Sequence, residues 1–135
     1  MEAWERWWNM AQGSLKAAQE LEVFGEQRSS VSRAYYAAYQ ATTALLLYAK
    51  QRPPAGREAW SHEGTPEALN NLPPKIVPLA IQEDLESRLS QLYEMRLVAD
   101  YRSGKNITSL GSRTAVRSAA FFVKTISTIV PGGMT

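Results

Sequence analysis

Apolar residues recur every three or four positions along most of the chain and nowhere in strict alternation, so helices are expected and strands are not. Trp4, Trp7, Trp8, Ala11, Leu15, Ala18 and Leu21 form one stripe of a helix from about residue 2 to 24. Gly25 suits the left-handed residue that ends it. With Ser29 or Ser30 as N-cap, a second stripe runs through Val31, Ala34, Tyr35, Ala38, Thr42, Leu45, Leu46 and Ala49. Tyr36, Tyr39 and Leu47 widen it, so this helix is apolar over more than one face and belongs at the centre. Residues 51–64 lose the periodicity at Pro53, Pro54 and Gly56 and read as an exposed loop. Thr65, Pro66 and Glu67 read as N-cap, N1 and N2 of a short helix that Pro73 and Pro74 stop. Past Pro78, Leu85, Leu89, Leu92 and Ala99 mark a third long helix to about residue 102, closed by Gly104. Thr108, Ser109 or Ser112 caps the last helix, whose stripe is Ala115, Ala119, Phe122, Ile126 and Ile129, and Pro131-Gly132-Gly133 reads as a frayed tail. The expectation is an all-α fold over residues 1–135 as a single domain: an antiparallel bundle of four long helices plus one short helix.

Composition narrows the chemistry. The chain has 135 residues, enough for one core without staples, and it has no cysteine and one histidine, His62. Disulfides, thiolate metal sites, cysteine nucleophiles and sites built on paired imidazoles are thereby excluded, and neither a metal nor a cofactor is expected. Met1 to Met10 carries Glu2, Glu5 and Arg6 among three tryptophans, unlike a signal or transit peptide. The apolar run from Ala34 to Ala49 is interrupted by Gln40, Thr42 and Thr43 and is too short for a bilayer span, so a cytoplasmic protein without membrane contact is expected.

Charge is unevenly spread. Residues 1–30 hold three basic residues against five glutamates, whereas residues 88–124 hold seven basic residues against Glu94 and Asp100. A basic side of this kind suits a polyanion or an acidic partner, and a solvated helix face explains it equally well.

Two stretches depart from plain bundle sequence. In Ser32-Arg33-Ala34-Tyr35-Tyr36-Ala37-Ala38-Tyr39, Arg33, Tyr36 and Gln40 share a polar edge beside the buried stripe. That edge could floor a cleft for a base or phosphate, although tyrosines there also serve as core aromatics with hydroxyls at the surface. In the second stretch, Arg96 follows Leu92 by four residues and Leu89 by seven, so its guanidinium emerges from the apolar stripe and needs a partner. Asp100 lies one turn on. Arg before Asp is the less favourable order for a helical pair, so a cleft arginine placed for phosphate is the sharper reading.

Ser-Arg-Ala-Tyr-Tyr-Ala-Ala-Tyr at 32–39, Ser-His-Glu-Gly at 61–64, Arg96 with Ala99-Asp100-Tyr101, and Ala119-Ala120-Phe121-Phe122-Val123 occur in an order and spacing that together resemble the HEPN domain family. The likeness is closest to its small stand-alone branch with an Arg-x-x-Ala-Asp-Tyr signature. The resemblance implies a small helical bundle that commonly dimerises, accompanies minimal nucleotidyltransferases in toxin–antitoxin or defence loci, and in many branches cleaves RNA without a metal.

Catalytic members of the family follow the arginine with a histidine after four to six residues. Here Arg96 matches the arginine and Tyr101 stands where the histidine belongs. A phenol, with a pKa of about 10, is a poor general base at neutral pH, so ribonuclease activity is expected to be weak or absent. His62, in the Pro-rich loop, is the remaining candidate for proton transfer, folding over the cleft as a similar loop histidine does in this branch; its plain alternative is a turn residue. The candidate catalytic set is Arg96, Asp100, Tyr101 and His62. Arg33, Tyr36, Arg102, Lys105, Arg113, Arg117 and Lys124 are candidates for holding RNA or a nucleotide. Two rivals stay open: a non-catalytic adaptor for a nucleotidyltransferase, and a helical interaction protein with no nucleic-acid role. The three indoles of the first helix make it a candidate surface for a homodimer.

Overall fold

Turn-forming residues cut the chain into five helices. In the computed structural model, which describes residues 1–133, these are α1 (Ala3–Val23), α2 (Gln27–Tyr48), α3 (Thr65–Asn70), α4 (Leu79–Tyr101) and α5 (Ser109–Ser127). They form an all-helical bundle with α2 at its centre, packed against each of the other four, while α5 also packs on α1 and α4. Alanines explain why α2 can be so enclosed. Ala34, Ala37, Ala38, Ala41 and Ala44 have no exposed surface and let neighbouring backbones approach on several sides. The buried hydroxyls of Thr42 and Thr43 donate to the carbonyls of Ala38 and Tyr39, so they add no unsatisfied polar group. Tyr35, Leu45, Leu46, Leu85, Leu89, Leu92, Phe122 and Ile126 fill the core. No helix among the described residues is long and apolar enough to cross a membrane.

The boundaries differ from expectation where hydroxyls found better partners. Gly25, at φ +78°, does make the α1–α2 turn. Yet α2 starts at Gln27 with Glu26 as its cap, ahead of the expected Ser29 or Ser30. Ser30 is buried, and its hydroxyl donates 2.8 Å to Ala18 O, tying the two helices together instead of capping one. Thr65 is the first residue of α3, not its cap, because its hydroxyl reaches back to the carbonyls of Ser61 and His62. Among the three candidates for α5, Thr108 is the cap, accepting from Gly111 N at 2.9 Å. The tail is not frayed through Gly133: Gly132 and Gly133 take positive φ and turn the chain so that Trp8 Nε1 donates 2.9 Å to Gly133 O. Trp8 is buried, whereas Trp4 and Trp7 are half-buried with their rings edge-on to Tyr48 and Tyr39.

Gly104 does not close α4 in the way expected, since its φ is not positive. Arg28 does that work from α2. Its Nη1 donates to Val98 O (3.1 Å) and Ala99 O (2.9 Å), and its Nη2 donates to the carbonyls of Arg102, Ser103 and Lys105. Val98 O and Arg102 O also accept from the backbone amides of Arg102 and Lys105, so Arg28 shares those acceptors and adds a donor at Ala99 O, while its charge opposes the negative end of the helix dipole.

Candidate functional site

The leucine stripe of α4 delivers Arg96 to the seam between α4 and α2, where its side chain is only 11% exposed. Its Nε donates 3.0 Å to Asp100 Oδ2, one turn along the same helix. Its Nη2 donates to Tyr36 Oη across the seam (3.0 Å) and, more loosely, to Tyr101 Oη (3.5 Å). Three tyrosine rings surround the guanidinium carbon, those of Tyr36 (5.3 Å), Tyr101 (5.6 Å) and Tyr35 (5.7 Å). Nη1 has no hydrogen-bond partner among the described residues. Arg33 comes to the same Tyr36 ring, with its guanidinium carbon 5.1 Å from the centroid. Two cations therefore share one phenol, an arrangement that an anion between them would relieve.

Asp100 is more open than its partner, with 28% of its side chain exposed. Its Oδ2 also accepts from Ser32 Oγ at 3.3 Å. Asp100, Tyr101, Ser32 and Arg33 line a shallow groove of about 740 Å3 together with Leu21, Arg28, Ser29 and Ala99. Tyr101 is 69% exposed at its mouth.

The loop folds over this seam. His62 is half-buried, its Nδ1 2.5 Å from Tyr35 Oη, and its ring lies among those of Tyr35, Tyr36, Tyr39 and Tyr93. Tyr39 Oη donates 2.5 Å to Trp60 O, and Tyr93 Oη donates 3.3 Å to Glu63 Oε1, so three tyrosines from two helices fasten residues 60–63. Burial, with the nearby Arg96 charge adding to it, lowers the His62 pKa below the usual imidazole value despite the opposing influence of Glu63. At neutral pH the ring is therefore the uncharged form. Burial also raises the Tyr35 and Tyr39 phenols above their ordinary value, and Tyr35 keeps its proton throughout the physiological range.

Of the residues singled out by sequence, Arg96, Asp100, Tyr101, Arg33, Tyr36 and His62 come together at this seam. Gln40 does not: it is buried against α1, its amide nitrogen donating to Met10 O and Ser14 Oγ. Arg102 and Lys105 sit exposed on the turn after α4, and Arg113, Arg117 and Lys124 lie exposed on α5. No hydrogen bond or ion pair among the described residues links these five side chains to Arg96. Arg113 instead faces Glu22 of α1 at 3.9 Å, which weakens the expectation of one continuous basic track. Arg28 carries no local sequence signal, because nothing nearby distinguishes an arginine in the first turn of a helix from a solvated one. No group of three or more His, Cys, Asp or Glu among the described residues could hold a metal ion.

The family model described as the HEPN domain matches residues 4–131. No curated protein matches the chain.

Proposed function

The chain belongs to the HEPN domain family, and from that premise we propose that it binds RNA or a nucleotide through a phosphate held at Arg96, with weak or absent cleavage. The observation that carries this reading is the state of Arg96. Its guanidinium is fixed by Asp100 and Tyr36 yet keeps Nη1 without a partner among the described residues, with Arg33 at the same phenol. Tyr36 Oη accepts from Arg96, so its own proton is available to a phosphate oxygen. The arginine fork then meets the phosphate already oriented, which reduces the entropy lost on binding. Tyr101, exposed at the groove mouth, offers a ring on which a base can stack.

Weak cleavage follows from the proton-transfer groups. Tyr101 stands in the place of the family's histidine, and the one imidazole at the seam, His62, has Nδ1 engaged by Tyr35. Only its Nε2 remains for a substrate, so residual cleavage runs through His62 and not through Tyr101. Filter binding of a single-stranded RNA from low to physiological salt, with a gel assay in EDTA on the same samples, tests both halves. Binding that weakens steeply with salt is expected; no binding at low salt sinks the reading. EDTA-resistant cleavage that survives His62→Ala but not Tyr101→Phe overturns the assignment of the proton-transfer group.

A second reading is a non-catalytic adaptor in a toxin–antitoxin or defence system, engaging a minimal nucleotidyltransferase or a second copy of itself. It is favoured by Val23, Phe24 and Leu110, large apolar side chains exposed at the bundle end where Glu22 meets Arg113. Light scattering across micromolar concentrations reports the homodimer directly.

A further inference from the structure

The carboxylate beside Arg96 is a puzzle for a site that takes only phosphate, because it repels the ligand that the arginines attract. Asp100 Oδ2 is occupied by two donors, Arg96 Nε at 3.0 Å and Ser32 Oγ at 3.3 Å. Oδ1 has no partner among the described residues, and the side chain opens onto the groove that Ser32, Arg33 and Tyr101 also line. Two donors from different helices hold Oδ2 in place, which fixes the carboxylate and leaves Oδ1 as its unengaged oxygen. An oriented, charged acceptor next to a phosphate-binding arginine calls for a donor that the ligand carries one position from its phosphate. In a ribonucleotide chain the 2′-hydroxyl meets that description, since it sits on the carbon adjacent to the one bearing the 3′-phosphate. Donors on base edges lie farther from the phosphate and change with sequence.

We propose that Asp100 is a specificity-determining residue whose free carboxylate oxygen accepts a hydrogen bond from a ribose 2′-hydroxyl while Arg96 and Arg33 hold the adjacent phosphate. This rests on the phosphate-site reading above and adds to it the feature of the ligand that the site recognises. Deoxyribose leaves Oδ1 without its donor and keeps its repulsion of phosphate, so the carboxylate selects against DNA as well as for RNA.

The test compares three ten-residue uridine oligomers, with 2′-hydroxyl, 2′-fluoro or 2′-deoxy sugars, in filter binding at low salt. The fluoro sugar has no hydroxyl proton to donate but keeps a polar 2′ substituent, so it isolates the hydrogen bond. The native protein is expected to bind the hydroxyl oligomer about tenfold more tightly than the fluoro one, the ratio that one hydrogen bond to a charged group supports. In Asp100→Ala the ratio is expected to fall to less than about twofold, because neither sugar then meets a charged acceptor. The ratio is the readout because any drift of Arg96 in the variant affects all three oligomers alike. Equal binding of hydroxyl and fluoro oligomers by the native protein overturns the proposal without any variant, and leaves the phosphate site standing. A preference retained in Asp100→Ala, or one that follows base identity when cytidine or adenine oligomers are substituted, also overturns it. Failure to bind any oligomer at low salt removes the phosphate-site reading and this proposal together.

Discussion

Replacing Arg28 by alanine removes the cation that gathers the end of α4, and the geometry sets the size of the loss. The two bonds to Val98 O and Ala99 O are part-buried, at 3.1 and 2.9 Å, whereas those to the carbonyls of Arg102, Ser103 and Lys105 are exposed to solvent. Water replaces the exposed group at little cost. The part-buried pair contributes about 1 kcal/mol each and relief of the helix dipole about 0.5 kcal/mol, for roughly 2 to 3 kcal/mol in all. For a chain of this length that corresponds to a fall in Tm of about 8 °C. Circular dichroism melts measure it, and hydrogen exchange at residues 99–105 locates it, with faster exchange expected there than in α5. Lysine at 28 should recover less than half of the loss, because one ammonium cannot fork across carbonyls on both sides of a turn. A fall of less than 2 °C in Arg28→Ala, or a full recovery by lysine, would refute the reasoning.

Two further outcomes are expected. Arg96→Ala should move Tm by no more than about 2 °C, since a mostly buried charge leaves together with its desolvation cost, while RNA affinity falls by about tenfold or more; a large stability loss with unchanged binding assigns Arg96 to the fold. Stability should also decline on acidification. The folded His62 pKa lies below that of the unfolded chain, so the unfolded state binds more protons as pH drops through about 6.5, and the contribution is fully present only above that value. The rings of Tyr35, Tyr36, Tyr39 and Tyr93 surround the imidazole, and Arg96 and Glu63 are the charges that act on it. Melts of the native protein and His62→Gln at pH 7.5 and 5.5 check the sign: the native protein should lose more.

Much of this was legible from the chain, and the misses share a cause. Periodicity reports which side of a helix a residue is on, so the α2 and α4 stripes, the Gly25 turn and the emergence of Arg96 beside the leucines all read correctly. It says nothing about which neighbour lies at a given height along that side. Gln40 sits close to Arg33 in angle, yet two turns on it meets Met10 and Ser14 of α1 instead of the groove. Ser30 and Thr65 have the chemistry of caps, but the carbonyls of Ala18, Ser61 and His62 were closer claimants for their hydroxyls. Arg28 reaches residues 70 to 77 positions away, and no local pattern encodes a partner at that separation. Family resemblance alone points to His62 over the seam; the tyrosine hydroxyls that fasten its loop explain why it stays there.

The central position of α2 makes the covalent link through residues 51–64 less important than its length suggests. The first fragment on one side of that loop would be the α1–α2 hairpin, and α3, α4 and α5 on the other side all pack against its second helix. A protease cut in the Pro-rich segment would therefore sever the backbone while leaving the principal apolar contacts between the two pieces intact. The molecule is in this sense two complementary halves sharing one scaffold rod, suited to reconstitution from separately made fragments. The groove beside Arg96 takes residues from both halves, Ser32 and Arg33 from one and Asp100 and Tyr101 from the other, so it exists only when they are joined.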